Sequence, residues 1–243
     1  MWEVIKFACK YGIVIIADEV YQNNIYGSHK FISFKKAVCS IEDPYKKVLL
    51  VSFNSISKGY TGECGLRGGY MEFHNFDKSV MEQIHKVRDA CSVNVAGSIA
   101  MAVECDPPSY DNCSKEVADQ YFKERDEILS RLAKKAEMTV EVLNRCKNIE
   151  CPDIGGAMYA FPRILLPQSV IDLAKNANQE PSEYFCKEML EATGIITVPG
   201  SGFGQNPDTY HFRMSLLLWD LNEFAEMLES MKNFINKFFT EHT

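Results

Sequence analysis

The sequence predicts an α/β protein built in two parts, and three observations carry that reading. A helix-like segment at residues 2–11 stops at Gly12 and feeds a short apolar run at 13–17 that ends in Asp18 and Glu19. Two more apolar runs, at 48–51 and 68–73, flank a polar, glycine-rich stretch at 52–70. From Glu116 onward the pattern becomes one long charged helix followed by short strands alternating with helices. Helix, glycine, buried strand and then acids make half of a parallel α/β unit, with the acids at the strand's carboxyl end. The second part reads as an α+β domain, so the expected division is 1–115 and 116–243.

Each element has its own signal. In the first helix Val4, Ile5, Ala8 and Cys9 are expected to face inward, and Gly12 is the stop. Residues 29–45 read as a polar connection with a turn at Pro44. Residues 77–88 place Val80, Met81, Ile84 and Val87 at helical spacing. Residues 96–103 read as a buried helix of small residues, closed by the hard stop Asp106-Pro107-Pro108. In the long helix Val117, Tyr121, Ile128, Leu132 and Ala136 line one face, with Arg125 interrupting the stripe. Short strands are expected at 158–161, 195–198 and 211–217, and a helix at 183–193 ending at Gly194. The last helix, 221–239, turns Leu221, Phe224, Ala225, Leu228, Met231 and Ile235 inward, and Asp220 with Glu223 forms a capping box at its start.

Composition narrows the function classes. The net charge is −7 with basic residues dispersed, which leaves no electrostatic footprint for nucleic acid. No apolar run reaches the roughly 20 residues of a membrane span, and no secretory signal opens the chain. Nine cysteines without a CxxC pair, and five scattered histidines, argue against a disulfide framework and against a metal site. A reduced cytosolic protein is the expectation, with a lost leader to mitochondria as the alternative.

Chemistry concentrates in S-F-N-S-I-S-K-G-Y-T-G-E-C-G-L-R-G-G-Y, residues 52–70. Ser55, Ser57, Lys58, Arg67 and five glycines suit a bound phosphate, because glycine admits the ligand to the main chain and arginine pairs with the oxygens. Lys58 is either a point charge for that phosphate or an amine that attacks a carbonyl; the plain alternative is a loop lysine with Arg67 in a surface ion pair. Asp18 stands where ligands of open α/β sheets bind, although an aspartate there also suits a turn. Arg213 lies inside an apolar strand, so it either has an ion-pair partner or faces a cavity. The segment V-P-G-S-G-F-G, 198–204, is glycine-rich, and such segments alone are usually turns.

Taken together, an aspartate after one buried strand, Ser-x-Ser-Lys after the next, an arginine nine residues on and a late buried arginine resemble the aspartate-aminotransferase superfamily of pyridoxal-phosphate enzymes. Within it, A-D-E-V-Y-Q-N-N-I-Y, S-K-G-Y-T-G-E-C-G-L-R-G-G-Y, G-G-A-M-Y-A-F-P-R and V-P-G-S-G-F-G with Y-H-F-R-M look like the alanine aminotransferases over essentially the whole chain. Most of the superfamily has eight residues from lysine to arginine, and the spacing of nine matches that subgroup.

The resemblance implies a role for each residue. Lys58 would bond pyridoxal 5'-phosphate and later move the substrate's α-proton, which needs a neutral amine; desolvation beside cations lowers a lysine pKa in that direction. Asp18 would pair with the pyridine nitrogen and Tyr21 with the ring's 3′ oxygen. Ser55, Ser57 and Arg67 would hold the phosphate, and Arg213 would fork the substrate α-carboxylate. The implied reaction exchanges the amino group between L-alanine and 2-oxoglutarate, in a homodimeric enzyme acting on small amino and 2-oxo acids. Such enzymes are about twice as long, so the resemblance implies the carboxyl-terminal portion of one: part of a mainly parallel cofactor-binding domain, then a complete smaller domain. That portion alone would leave a sheet edge unpaired and apolar surface exposed, and would have little activity or persist by associating with another chain. A 1-aminocyclopropane-1-carboxylate synthase shares the aspartate, lysine and both arginines but performs elimination; a non-catalytic pyridoxal-phosphate-binding module is the other alternative.

Overall fold

Gly12 ends helix α1 (Trp2–Tyr11) in the left-handed conformation, φ 64°, with its N–H returned to Ala8 and Cys9. The chain turns there into β1 (Ile15–Asp18). The structure, a computed structural model, describes residues 1–218 and 220–242, so Thr243, the end of the expected second domain, lies outside them. They divide into two compact units, Met1–Ile25 with Lys30–Asp126, and Tyr26–His29 with Glu127–Thr243.

In the first unit α2 (Phe34–Ser40) occupies what reads in sequence as a polar connection. Ser33 caps it by accepting from the Lys36 N–H, and Ala37 and Val38 turn inward. The lysine pair 35–36 masks this short amphipathic helix in the sequence. Strands β2 (Leu50–Ser55) and β3 (Gly69–His74) complete a sheet of order β1-β2-β3. β1 and β2 are parallel, whereas β2 and β3 are antiparallel. Ile5, Ala8, Ile15, Ala17, Val38, Val48 and Leu50 form the core on one side of the sheet. The other side differs from the expectation of a fully buried strand: Ile16 is 71% exposed. Val4 of α1 is exposed as well, because α1 rests on the sheet through Ile5 and Ala8.

Helices α3 (Lys78–Asp89) and α4 (Val95–Cys105) follow. Only Gly97 and Met101 of α4 are buried, while Val95, Ile99 and Val103 stand exposed, so the small-residue helix is not the buried one its composition suggests. α5 (Lys115–Leu143) is one continuous helix, and the first unit ends within it at Asp126. Arg125 interrupts its apolar stripe by lying 4.8 Å from the Phe122 ring centroid while pairing with Asp126.

The second unit holds β4 (Ile149–Glu150), β5 (Tyr159–Ala160), β6 (Arg163–Ile164), α6 (Gln168–Asn176), α7 (Pro181–Thr193), β7 (Val198–Pro199), β8 (Tyr210–Ser215) and α8 (Leu221–His242). β8 is the hub. β5 and β6 share one register along it, Tyr159 opposite Ser215 and Arg163 opposite His211, and β7 pairs with the same stretch from its other edge, Val198 opposite Arg213. α7 begins at a Glu180 side-chain cap and ends at left-handed Gly194. Asp220 Oδ1 accepts from the N–H groups of Asn222 and Glu223 at 2.7 and 3.0 Å, capping α8.

Phe224, Leu228, Met231 and Ile235 of α8 pack with Phe185 and Met189 of α7 and with Phe212, Met214 and Leu216. The Phe185 ring is fully buried, within 5.2–6.0 Å of the rings of Phe212, Phe234, Phe238 and Phe239. Phe185→Ala is expected to cost about 3–5 kcal/mol, read as a fall in the urea midpoint of the second unit with an unchanged slope.

Candidate active site

Parallel pairing places Asp18 opposite Phe53, so β1 and β2 deliver their carboxyl ends to one edge of the sheet. Asp18 is the last residue of β1, exposed, with Oδ1 accepting from the Val20 N–H at 3.4 Å. Tyr21 sits in the following turn, closed by Asn24 N–H donating to the Tyr21 carbonyl at 2.9 Å. Ser55 is the last residue of β2, and its Oγ accepts from the Ser57 N–H at 2.9 Å, which leaves the hydroxyl proton to donate elsewhere.

The Lys58 Nζ lies 5.6 Å from the centre of the Tyr21 ring. Its turn is held firmly. Gly59 takes φ 70°, and its carbonyl accepts from the fully buried Asn24 side chain at 3.0 Å. Thr61 Oγ1 donates to the carbonyls of Ile56 and Lys58 at 3.2 and 3.3 Å. Tyr60 Oη meets Tyr121 Oη of α5 at 2.5 Å, and burial followed by that hydrogen bond drives the Tyr60 phenol well above its ordinary pKa.

Arg67 approaches the same edge from the far side, because Gly69, two residues on, pairs with Ser55. It is exposed, with φ 56° and Nη1 donating to the Cys64 carbonyl at 2.8 Å. The start of α4 braces this turn. Asn94 Nδ2 donates to the Leu66 carbonyl at 3.0 Å, and a Cβ on Gly97 would stand 2.5 Å from the Leu66 oxygen and 2.8 Å from that of Arg67.

Arg213 belongs to the second unit. His211, Arg213 and Ser215 occupy one face of β8, while Phe212, Met214 and Leu216 enter the core from the other. Among the described residues Arg213 has no ion pair; its guanidinium carbon instead lies 4.6 Å from the Tyr159 ring and 5.0 Å from the Phe203 ring. The structure thus gathers Asp18, Tyr21, Ser55, Ser57, Lys58 and Arg67 on one sheet edge of the first unit; within the second unit Arg213 has an aromatic setting. Asn24, Tyr121, Tyr159 and Phe203 were not singled out as site candidates in the sequence. Asn24 lies within A-D-E-V-Y-Q-N-N-I-Y and could have been suspected; the others are joined to their partners only by folding.

The α/β sheet edge thus carries a lysine, two hydroxyls, a guanidinium and a carboxylate. A model described as aminotransferase class I and II matches residues 1–229, and the chain belongs to that family, whose members are pyridoxal-phosphate enzymes. It is 42% identical over 243 residues to glutamate–glyoxylate aminotransferase 1 of Arabidopsis thaliana, covering 99% of this chain and 50% of that protein. It is 43% identical over 244 residues to alanine aminotransferase 2 of Xenopus laevis, covering 99% and 44%. Against the mitochondrial alanine aminotransferase 2 of Arabidopsis thaliana the identity is 46% over 218 residues, covering 88% and 40%. The chain spans about half the length of these relatives, or less. The solved alanine aminotransferase from Pyrococcus furiosus shares the fold at a TM-score of 0.74 and 24% identity, over 98% of this chain and 52% of that one. Among the described residues there is no helix long and apolar enough to cross a membrane, and no cluster of three metal-ligating side chains.

Next to Arg213, the His211 ring stacks on Phe161 at 4.8 Å and faces Gln205 Oε1 at 3.2 Å. Burial, then the charge of Arg163, lowers its pKa. The unfolded chain therefore binds the proton more readily than the fold does, so the stability His211 contributes is present above the unfolded value of 6.5 and lost as pH falls below it. The second unit is expected to unfold at lower urea at pH 5.5 than at pH 7.5, and His211→Phe, which keeps the stacked ring, is expected to shrink that difference.

Proposed function

We propose that this chain takes part in transferring an amino group between L-alanine and 2-oxoglutarate, giving pyruvate and L-glutamate, with pyridoxal 5'-phosphate as cofactor. The observation that carries this reading is Lys58 on the turn after β2, beside Tyr21 and at the strand edge that ends in Asp18. On this reading residues 1–115 are part of the cofactor-binding domain and 116–243 are the joining helix and the smaller domain, in a protein that works as a homodimer in the cytosol.

The donor set suits the cofactor. Lys58 Nζ would hold it covalently, Ser55, Ser57 and Arg67 its phosphate, Asp18 its pyridine nitrogen and Tyr21 its 3′ oxygen. The free hydroxyl proton of Ser55 and the fork of Arg67 match phosphate oxygens, which accept and do not donate. When bound, the cofactor supplies a ring that accepts the electron pair left on the substrate α-carbon. The chain supplies the rest. Once the substrate amine displaced it from the cofactor, Lys58 Nζ would be a free amine able to take the α-proton, a positioned general base contributing about 10²–10⁴-fold. Asp18, as a carboxylate, keeps a positive charge where those electrons arrive. Arg213 fixes the substrate through its α-carboxylate, which amino and oxo acids share, so one residue serves both half-reactions.

The relatives favour one second reading for the acceptor. Two proteins at 42% identity are named glutamate–glyoxylate aminotransferases, so glyoxylate competes with 2-oxoglutarate for the role. Measuring alanine with 2-oxoglutarate against glutamate with glyoxylate decides between them.

Pyridoxal phosphate added to the chain is expected to give a visible absorbance band and a matching mass increment after reduction with borohydride, both lost in Lys58→Ala. A band of equal strength in that variant removes Lys58 from its role. Arg213→Lys keeps the charge but not the fork. In the full-length enzyme it is expected to remove about 1.5–3 kcal/mol of binding, seen as a rise of about ten- to a hundredfold in the KM for L-alanine.

A further inference from the structure

Phe203 is 46% exposed, so burial in the core does not explain its place. Among the described residues its ring has two aromatic or cationic neighbours, the Phe161 ring at 5.4 Å and the Arg213 guanidinium at 5.0 Å. On the β5 side Tyr159, opposite Ser215 in register, brings a second ring to 4.6 Å from the same guanidinium. Tyr159 comes from β5 on one edge of β8, and Phe203 from the 3₁₀ turn that follows β7 on the other.

We propose that the 198–204 turn is the positioning element for Arg213, with Phe203 and Tyr159 as positioning residues that hold its guanidinium for a carboxylate. The inference rests on the reading of Arg213 as the carboxylate fork. An arginine side chain has several rotatable bonds, and an ion pair would restrain it only by occupying the fork. Two aromatic faces restrain the plane of the group and leave its N–H edges available.

The turn is built to keep Phe203 in place. Val198 and Pro199 pair with Arg213 and Phe212, after which Gly200–Phe203 forms one 3₁₀ turn ended by left-handed Gly204. Gly200 is buried, and a Cβ there would stand 2.2 Å from Gln205 Oε1 and 2.8 Å from the His211 carbonyl oxygen. The missing side chain is what lets the turn lie on the β8 backbone. Ser201 Oγ donates to Glu183 Oε1 at 3.2 Å and Gln205 Nε2 to Glu180 Oε1 at 3.5 Å, which ties both ends of the turn to the start of α7. Glycine, serine and glutamine thus fix the backbone, and the fixed backbone presents the ring.

The test uses the full chain, pyruvate as the probe and NMR of the Arg213 Nε–H group as the readout, which needs no cofactor and no turnover. Phe203→Leu keeps much of the bulk and removes the ring; pyruvate binding is expected to weaken about tenfold, or about 1.4 kcal/mol, and the Nε–H signal to broaden or to exchange faster with water. Phe203→Tyr, which keeps the ring, is expected to stay within about twofold. Should the leucine variant fail to fold, pentafluorophenylalanine at position 203 preserves the shape and reverses the ring's charge distribution, and is expected to weaken binding likewise. Pyruvate binding unchanged in the folded ring-altered variant, while Arg213→Lys still weakens it, overturns the positioning role alone. Binding that survives Arg213→Lys overturns the underlying carboxylate reading instead.

Discussion

Strand alternation is the constraint on which both candidate sites depend. A strand whose alternate side chains are locked in a core cannot slip by one residue without reversing every side chain. In β8, Phe212, Met214 and Leu216 are held against α7 and α8, and His211, Arg213 and Ser215 are thereby forced onto the opposite face. A buried aliphatic and aromatic cluster with no polar role therefore decides where the guanidinium stands. In the first unit Ile15 and Ala17 do the same for β1, whose register with β2 brings Asp18 to the end of the sheet where the Lys58 turn begins.

The two sites are anchored differently. Around Lys58 the restraint comes through hydrogen bonds to the backbone, from Asn24, Thr61 and the Asn94 region of α4, which fix the peptide planes and leave the reactive side chains exposed or half-buried. Around Arg213 the restraint acts on the side chain itself through aromatic faces. The contrast fits the tasks proposed for them. A group that must form and release a bond needs a fixed base and a mobile tip, whereas a group that only recognises a planar anion gains from being held flat.

Local features of the chain made much of this legible. The glycine stops at 12 and 194, the strand end at Asp18 and the Asp220 cap are set by residues within a few positions of one another, and all appear where the sequence places them, whereas β2 runs on to Ser55, past the expected end at Val51. Apolar pattern was a poorer guide to burial. Ile16, Val95, Ile99 and Val103 have the residue types of a core, yet each is at least 60% solvent-exposed, since periodicity reports which face is apolar and not what covers it. Helix α2 was hidden by its lysines. The aromatic setting of Arg213 had no sequence signal, because residues 159, 203 and 213 are brought together only by pairing on both edges of β8.

Gly68 and Gly97 face each other so closely that a Cβ on the first would lie 2.4 Å from the carbonyl oxygen of the second, and a Cβ on the second 2.5 Å from the Leu66 oxygen. Neither position has an atom left to remove, so a side chain added at one cannot be accommodated by trimming the other. Such a pair has no compensating partner substitution: a change at either position has to move main chain, either that of α4 or that of the turn that carries Arg67. Variation at this point is therefore transmitted as backbone displacement toward the sheet edge, and the route of a chain through a turn becomes as restrictive of sequence as the chemistry of the residues it presents.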